Sequence, residues 1–271
     1  MAVKTITSLQ NPRVKDAIRL RASRNRARQG RFLIDGAREL LQAMWGRVPL
    51  VELFVCVPLC RSPAAQEVLS RLDEIKADAW DVPAEVFQKM AFGQRHDGVL
   101  AVAETPCHTL FELKPAGRGP IVVLEGLEKP GNVGAVLRSA DGAGAAAVIV
   151  AQPRTDLYNP NCIRASLGTV FTIPVCTATT PEVLAWLRQR GAKIFVARVD
   201  AKRTYTEVDL GDNSAVVLGS EADGLSQAWH AADVTAIKLP MHGTADSLNV
   251  SAVSAVLLYE ALRQRERATR Q

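Results

Sequence analysis

No apolar run in the 271-residue sequence approaches the ~18 residues of a membrane-spanning helix, and the opening MAVKTITSLQ lacks the apolar core of a signal peptide. A soluble, cytoplasmic protein without a membrane partner is therefore expected. The cysteines, Cys56, Cys60, Cys107, Cys162 and Cys176, are odd in number and scattered, which argues against a disulfide framework and fits a reducing compartment. Cys56 and Cys60 have no second Cys or His pair at ligand spacing. With His96, His108, His230 and His242 dispersed, no metal site is expected. A P-loop is missing. The nearest G-x-G-x-x-A, Gly142 to Ala147, leaves a helix and enters a strand, the reverse of what a pyrophosphate turn needs. These absences set aside nucleotide dehydrogenases and kinases. Internal repeats and low-complexity tracts are absent too.

Acidic residues are scarce in one place. Up to Arg31 there are nine bases against the single acid Asp16, so the first 31 residues carry +8 and the remainder −3 of the net +5. A basic block on a near-neutral body points to a polyanionic partner, RNA or DNA, or else to a solvated helix face. The length is that of two domains. From Asn11 to about Gly30 the chain is charged and helix-friendly, with Arg21, Arg24 and Arg28 on one stripe at i, i+3, i+7. Strand and helix signals then alternate: Arg31 to Gly36, Ala37 to Trp45, Val51 to Val57, Ala64 to Lys76, Ala79 to Val82, Ala84 to Met90 and Gly98 to Ala103. That alternation predicts a small layered α/β domain over 1–104. Pro106, Pro115, Gly117, Gly119 and Pro120 then mark 105–120 as a linker.

The second domain, 121–271, reads as a mostly parallel α/β sheet. Its expected strands are Ile121 to Leu124, Ala147 to Ala151, Val170 to Val175, Lys193 to Arg198, Ala215 to Leu218 and Val234 to Leu239. Helices are expected from Gly131 to about Asp141 and from Pro181 to Arg190, with a short turn at Arg164 and Ser166. A last helix is expected from about Ser247, because Ser and Asn are strong caps and Val250, Val253, Leu257 and Ala261 recur at helical spacing. Three Gly/Pro/Asn-rich loops fall at carboxyl ends of strands, where such sheets place ligands. They carry Asn132 and Arg138, then Glu221, then Ser247 and Asn249. Without His, Cys or metal this set does not build an acyl-transfer triad. It suits orienting a hydroxyl nucleophile and stabilising its developing charge. Asn132 and Ser247 also read as helix caps, and Glu221 as a group that satisfies loop amides.

NVGAVLR at Asn132 to Arg138, GSEADGLS at Gly219 to Ser226, and LPM with SLNVS between Leu239 and Ser251 resemble the three ordered motifs of the SpoU/TrmH branch of the SPOUT superfamily, the RNA ribose 2'-O-methyltransferases. IRASLGTVFTIPV at Ile163 to Val175 resembles that family as well. NPRVK at Asn11 to Lys15 and RFLIDG at Arg31 to Gly36 resemble the ribosomal-protein-like RNA-binding domain that many members carry. The resemblance implies a deep trefoil knot in the C-terminal domain, against the general rule that chains do not thread their loops. It also implies S-adenosylmethionine as methyl donor, held in the knot by main-chain groups, with Gly219, Leu239, Leu248 and Ala197 lining the pocket. Arg138 matches the catalytic arginine, with Asn132, Glu221, Ser247 and Asn249 as its polar shell. Arg164 is assigned to substrate phosphate by analogy. A homodimer is implied, and ribosomal RNA rather than transfer RNA as substrate. A transfer-RNA methyltransferase and a non-catalytic RNA-binding protein are the other readings. Two positions depart from the family pattern: Lys129-Pro130 stands where Asp-Pro is common, and Asp35-Gly36 where Glu-Gly is usual.

Overall fold

The alternating signals of the first hundred residues form one five-stranded mixed sheet. In the computed structural model, which describes residues 4–92, 97–220 and 223–269, these elements are β1 (Lys4–Thr5), α1 (Pro12–Arg19), α2 (Ser23–Gln29), β2 (Arg31–Asp35), α3 (Ala37–Trp45), β3 (Leu50–Val55), α4 (Pro63–Ser70), β4 (Asp78–Asp81), α5 (Ala84–Met90) and β5 (Val99–Glu104). The strand order is β1-β4-β3-β5-β2, with β5 antiparallel to both its neighbours. Leu33, Phe54, Phe87 and Leu100 fill the core on this sheet.

The expected helix from Asn11 to Gly30 is two helices. The Asn11 side chain caps α1 by accepting from the Arg13 N–H at 2.9 Å. The chain then breaks because the Arg26 guanidinium folds back under it, donating to the Leu20 and Arg21 carbonyls at 2.9 and 2.8 Å. Arg21 therefore lies in a turn, and the stripe expected for Arg21, Arg24 and Arg28 does not form. Arg21 donates to the Lys89 and Ala91 carbonyls at 2.5 and 2.6 Å, closing the end of α5, while Arg24 and Arg28 stay exposed on α2.

The chain divides into two compact units, Met1–Cys107 with Asp156–Thr172, and His108–Thr155 with Ile173–Gln271. The 156–172 excursion, which contains α7 (Pro160–Ala165), belongs to the first unit for visible reasons. Arg26, only 4% exposed, pairs with Asp156 at 2.6 Å. Phe32 of β2 stacks against Tyr158 and Phe171, with ring centroids 4.6 and 5.8 Å away. That stacking also corrects the strand expected from Val170. Gly168 takes a left-handed φ of +83° and Thr169–Phe171 form a single 3-10 turn that delivers Phe171 to the rings. The strand begins only at Val175, after Pro174.

The second unit holds β6 (Ile121–Glu125), α6 (Pro130–Gly142), β7 (Ala147–Ala151), β8 (Val175–Ala178), α8 (Thr180–Gln189), β9 (Lys193–Ala197), β10 (Arg203–Thr204), β11 (Ser214–Leu218), β12 (Val234–Lys238) and α9 (Val250–Thr269). Its strands run parallel in the order β10-β12-β9-β11-β6-β7-β8. β6, β7 and β11 are buried along their whole length, as expected of parallel strands covered on both faces, which explains their near-continuous apolar runs. α6 and α9 pack together. Arg265 of α9 donates to the Ala143 and Gly144 carbonyls at 2.7 and 3.2 Å, satisfying the end of α6. α9 starts at Val250 rather than Ser247, because Asn249 is its cap: Asn249 Oδ1 accepts from the Ser251 N–H at 3.0 Å. Among the described residues no helix is long and apolar enough to cross a membrane.

Candidate functional site

At the carboxyl ends of β9, β11 and β12 the second unit opens into a cavity of about 500 Å³, closed on one side by Val250 and Val253 of α9. That volume lies within the roughly 300–1,000 Å³ of small-molecule sites. Ala197, Gly219, Leu239 and Leu248, the four positions assigned to a cofactor from the sequence, all line it, and so does Ser247. Gly219 is there because nothing larger fits. A Cβ at that position would lie 2.4 Å from the Gly224 carbonyl, in a turn that Ser220 and Gly224 close with two backbone hydrogen bonds of 3.1 Å.

A buried carboxylate fixes the far end of this turn. Glu125, at the end of β6, is 5% exposed. Its Oε2 accepts from the Ser226 N–H at 2.7 Å, and its Oε1 accepts from the Ser226 hydroxyl at 2.9 Å and from the Thr180 hydroxyl at the start of α8. On the surface, Arg154 bridges Glu128 and Asp223 at 2.6 and 2.7 Å, tying the loop after β6 to the same turn. Sequence reasoning missed Glu125, although an acid ending the apolar run Ile121 to Leu124 was a usable signal.

The polar residues named from the sequence come together only in part. Asn132 is the third residue of α6, not its cap, and its Oδ1 accepts from Asn249 Nδ2 at 3.4 Å. Asn249 thus caps α9 while reaching α6. Arg138 stands less than two turns further along α6, exposed, and its side chain makes no hydrogen bond or ion pair with a described residue. Glu221 lies outside the described residues. In the first unit, the Arg164 guanidinium of α7 sits 6.0 Å from the centre of the Phe92 ring. It is also near Glu39, whose carboxyl is pushed above its ordinary range by burial, with Asp97 adding to the rise and Arg164 opposing it.

Charged residues that sequence reasoning did not single out line one rim of the cavity. Arg198 clamps Asp200 through two hydrogen bonds, Nε to Oδ1 at 2.9 Å and a terminal nitrogen to Oδ2 at 2.6 Å. The other terminal nitrogen donates to His230 Nε2 at 3.1 Å. Hydrogen bonding from Arg198 holds the Asp200 carboxyl below its ordinary range. Among the described residues no group of three or more His, Cys, Asp or Glu is placed to hold a metal ion.

The arrangement has known counterparts. Residues 119–259 match the SpoU rRNA Methylase family, and residues 11–101 match the MRM3-like substrate binding domain. A 23S rRNA (uridine(2479)-2'-O)-methyltransferase of Streptomyces viridochromogenes is 32% identical over 273 residues, covering 97% of this chain and 93% of its own. A crystal structure of an RNA 2'-O ribose methyltransferase is 41% identical, with a TM-score of 0.84 over 97% of this chain and 99% of the other. An AdoMet-bound rRNA methyltransferase from Sinorhizobium meliloti is 27% identical, with a TM-score of 0.85 over 96% of this chain and 98% of its own. The family match spans the strands, loops and closing helix that build the cavity, and the likeness runs the length of the chain: this protein belongs to the SpoU rRNA methylase family.

Proposed function

We propose that this protein transfers the methyl group of S-adenosylmethionine to the 2'-hydroxyl of one ribose in large-subunit ribosomal RNA. One observation carries the reading: Ala197, Gly219, Leu239 and Leu248, chosen from motifs in separate stretches, converge on one cavity, and the Asn132–Asn249 contact joins α6 to the start of the helix that closes it. The 23S rRNA substrates named for relatives support the choice of RNA. RNA capture is assigned to the domain built on residues 1–104, with Arg24, Arg28 and, from the excursion, Arg164 as phosphate contacts. The linker is 105–120, and methyl transfer belongs to 121–271 apart from the 156–172 excursion, which is part of the first unit. The reading includes a trefoil knot in that second part, a cytoplasmic location and a homodimer. The exposed stripe Ala252, Val256 and Tyr259 on α9 supports the dimer as an apolar face at i, i+4, i+7.

The residues present fit this donor. An apolar slot lined by Ala197, Leu218, Ile237 and Leu239 suits a purine, and the glycine turn at Gly219 allows close backbone approach. When bound, the donor supplies an electrophilic methyl on a sulfonium, whose S–C bond breaks as the new C–O bond forms. Arg138 orients the ribose hydroxyl and stabilises the alkoxide character that develops on its oxygen; a guanidinium is not a base under ordinary conditions, so the proton passes to water. Asn249, held by its cap geometry and by Asn132, fixes the start of α9 against α6. Val250 and Val253 keep water from the closed side of the slot. The test is to map ribose methylation across ribosomal and transfer RNA in cells with and without the protein. Loss of one 2'-O-methyl mark in large-subunit RNA is expected. Loss of a transfer-RNA mark instead reassigns the substrate, and an unchanged map with RNA still bound makes this a binding protein.

A further inference from the structure

The rim formed by Arg198, Asp200 and His230 has a role that the apolar slot cannot supply. The cavity has two distinguishable ends. β11 lies between β9 and β6 in the sheet, so α6, which follows β6, is on the β6 side of the cavity and the β9 loop is on the other. If the methyl is delivered beside Arg138 and the Asn132–Asn249 contact, the sulfonium and the methionine arm of the donor face α6. The β9 loop then meets the opposite part of the molecule, its nucleoside.

What the β9 loop offers is one carboxylate in a fixed orientation. The planar guanidinium of Arg198 grips both Asp200 oxygens, and its remaining terminal nitrogen is itself held by His230. Because arginine only donates, the His230 Nε2 accepts, which places the ring proton on Nδ1. A carboxylate gripped on one edge by arginine keeps lone pairs on its other edge for two further donors. The nucleoside carries two pairs of donors, the adenine amino group and the vicinal ribose hydroxyls; with the purine in the apolar slot, the hydroxyls are the pair assigned to the rim. Asp246, the other carboxylate lining the cavity among the described residues, precedes Ser247 on the loop into α9 and suits the ammonium of the amino-acid portion instead.

We infer that Asp200, clamped by Arg198, accepts the 2',3'-diol of the bound donor and selects a ribonucleoside in the cofactor cavity. The inference rests on the donor reading given above. Asp200 is well exposed and lies outside the core, so Asp200→Asn is expected to fold normally. The experiment is calorimetric titration of wild type and Asp200→Asn with S-adenosylhomocysteine and with its 2'-deoxy and 3'-deoxy analogues.

Wild type is expected to bind the parent compound and to lose roughly tenfold or more on a deoxy analogue, the size of one hydrogen bond to a charged group. Asp200→Asn is expected to bind the parent roughly tenfold more weakly and to discriminate little between parent and deoxy forms. Equal weakening of parent and analogues by the substitution would move Asp200 to another group of the ligand and overturn the inference. An unchanged affinity for the parent overturns it as well. Failure of wild type to bind the parent compound at all would instead defeat the donor reading itself, so the two failures are told apart.

Discussion

Glu125 and Ser226, 101 positions apart in the chain, meet through two hydrogen bonds of 2.7 and 2.9 Å to one buried carboxylate. The strand that precedes α6 thereby holds the end of the glycine turn that walls the cavity. Replacing Glu125 by Gln keeps the volume but presents an amide N–H₂ where donors already point, leaving a buried donor unmatched at a cost of about 1–3 kcal/mol. Glu125→Gln is expected to weaken S-adenosylhomocysteine binding roughly tenfold while the turnover number at saturating donor stays near wild type. Titration together with a split of kcat from KM checks this, and Ser226→Ala, which removes only the hydroxyl contact, is expected to have the smaller effect.

The Arg26–Asp156 pair is the bolt that holds the 156–172 excursion to the first unit. Removing one partner leaves a charge stranded and frees the Leu20 and Arg21 carbonyls. Arg26→Met is expected to destabilise the protein by ~3 kcal/mol in urea denaturation. A loss below about 0.5 kcal/mol would show that the pair behaves like an exposed one.

Among the basic residues near the start of the chain, the structure separates structural from available charge. Arg21 is committed to the Lys89 and Ala91 carbonyls, whereas Arg24 and Arg28 are exposed. Reversing Arg24 and Arg28 to Glu is expected to weaken RNA binding and to lower its salt slope by about one for each phosphate no longer neutralised, with the melting temperature unchanged. Arg21→Glu is expected to lower the melting temperature. Retention of the full salt slope by the double variant would place the RNA elsewhere.

Thiol chemistry gives a check on burial. Cys107 is exposed, while Cys56, Cys60, Cys162 and Cys176 are buried. Burial pushes the Cys60 and Cys176 thiols up to about 11 and raises Cys56 and Cys162 as well. The thiolate is the reactive form, so these thiols are almost wholly protonated at pH 8. Iodoacetamide at pH 8 is expected to modify Cys107 first in the native protein, with the other four reacting only after denaturation. Rapid native labelling of Cys60 would contradict the packing of the first unit.

Much of this architecture was legible because it is local. α3 and α5 begin and end where their apolar spacing said, and β6, β7, β9, β11 and β12 of the second unit could be read within a residue, whereas β8 and the two-residue β10 could not. The motif positions of the cavity were legible through resemblance. What failed was non-local. The break between α1 and α2 depends on a guanidinium whose partner, Asp156, is 130 residues away. The strand expected at Val170 yielded to a turn because Phe171 stacks on Phe32 of a distant strand. Glu125, Arg198, Asp200 and His230 carry no pattern in the sequence, since their meaning arises only when separate strand ends are brought side by side.

The central claim is that Arg138 serves transfer to a ribose oxygen while the cavity holds the donor without it. The direct measurement pairs tritiated methyl transfer from S-adenosylmethionine into a large-subunit ribosomal RNA fragment with S-adenosylhomocysteine titration, for wild type and Arg138→Ala. Wild type should give label that resists alkaline hydrolysis as a 2'-O-methylated dinucleotide. The variant should lose transfer by a factor of at least about a hundred, with affinity for the cofactor product within about twofold. Label found on a base, or a variant that keeps most of its rate, would contradict the account.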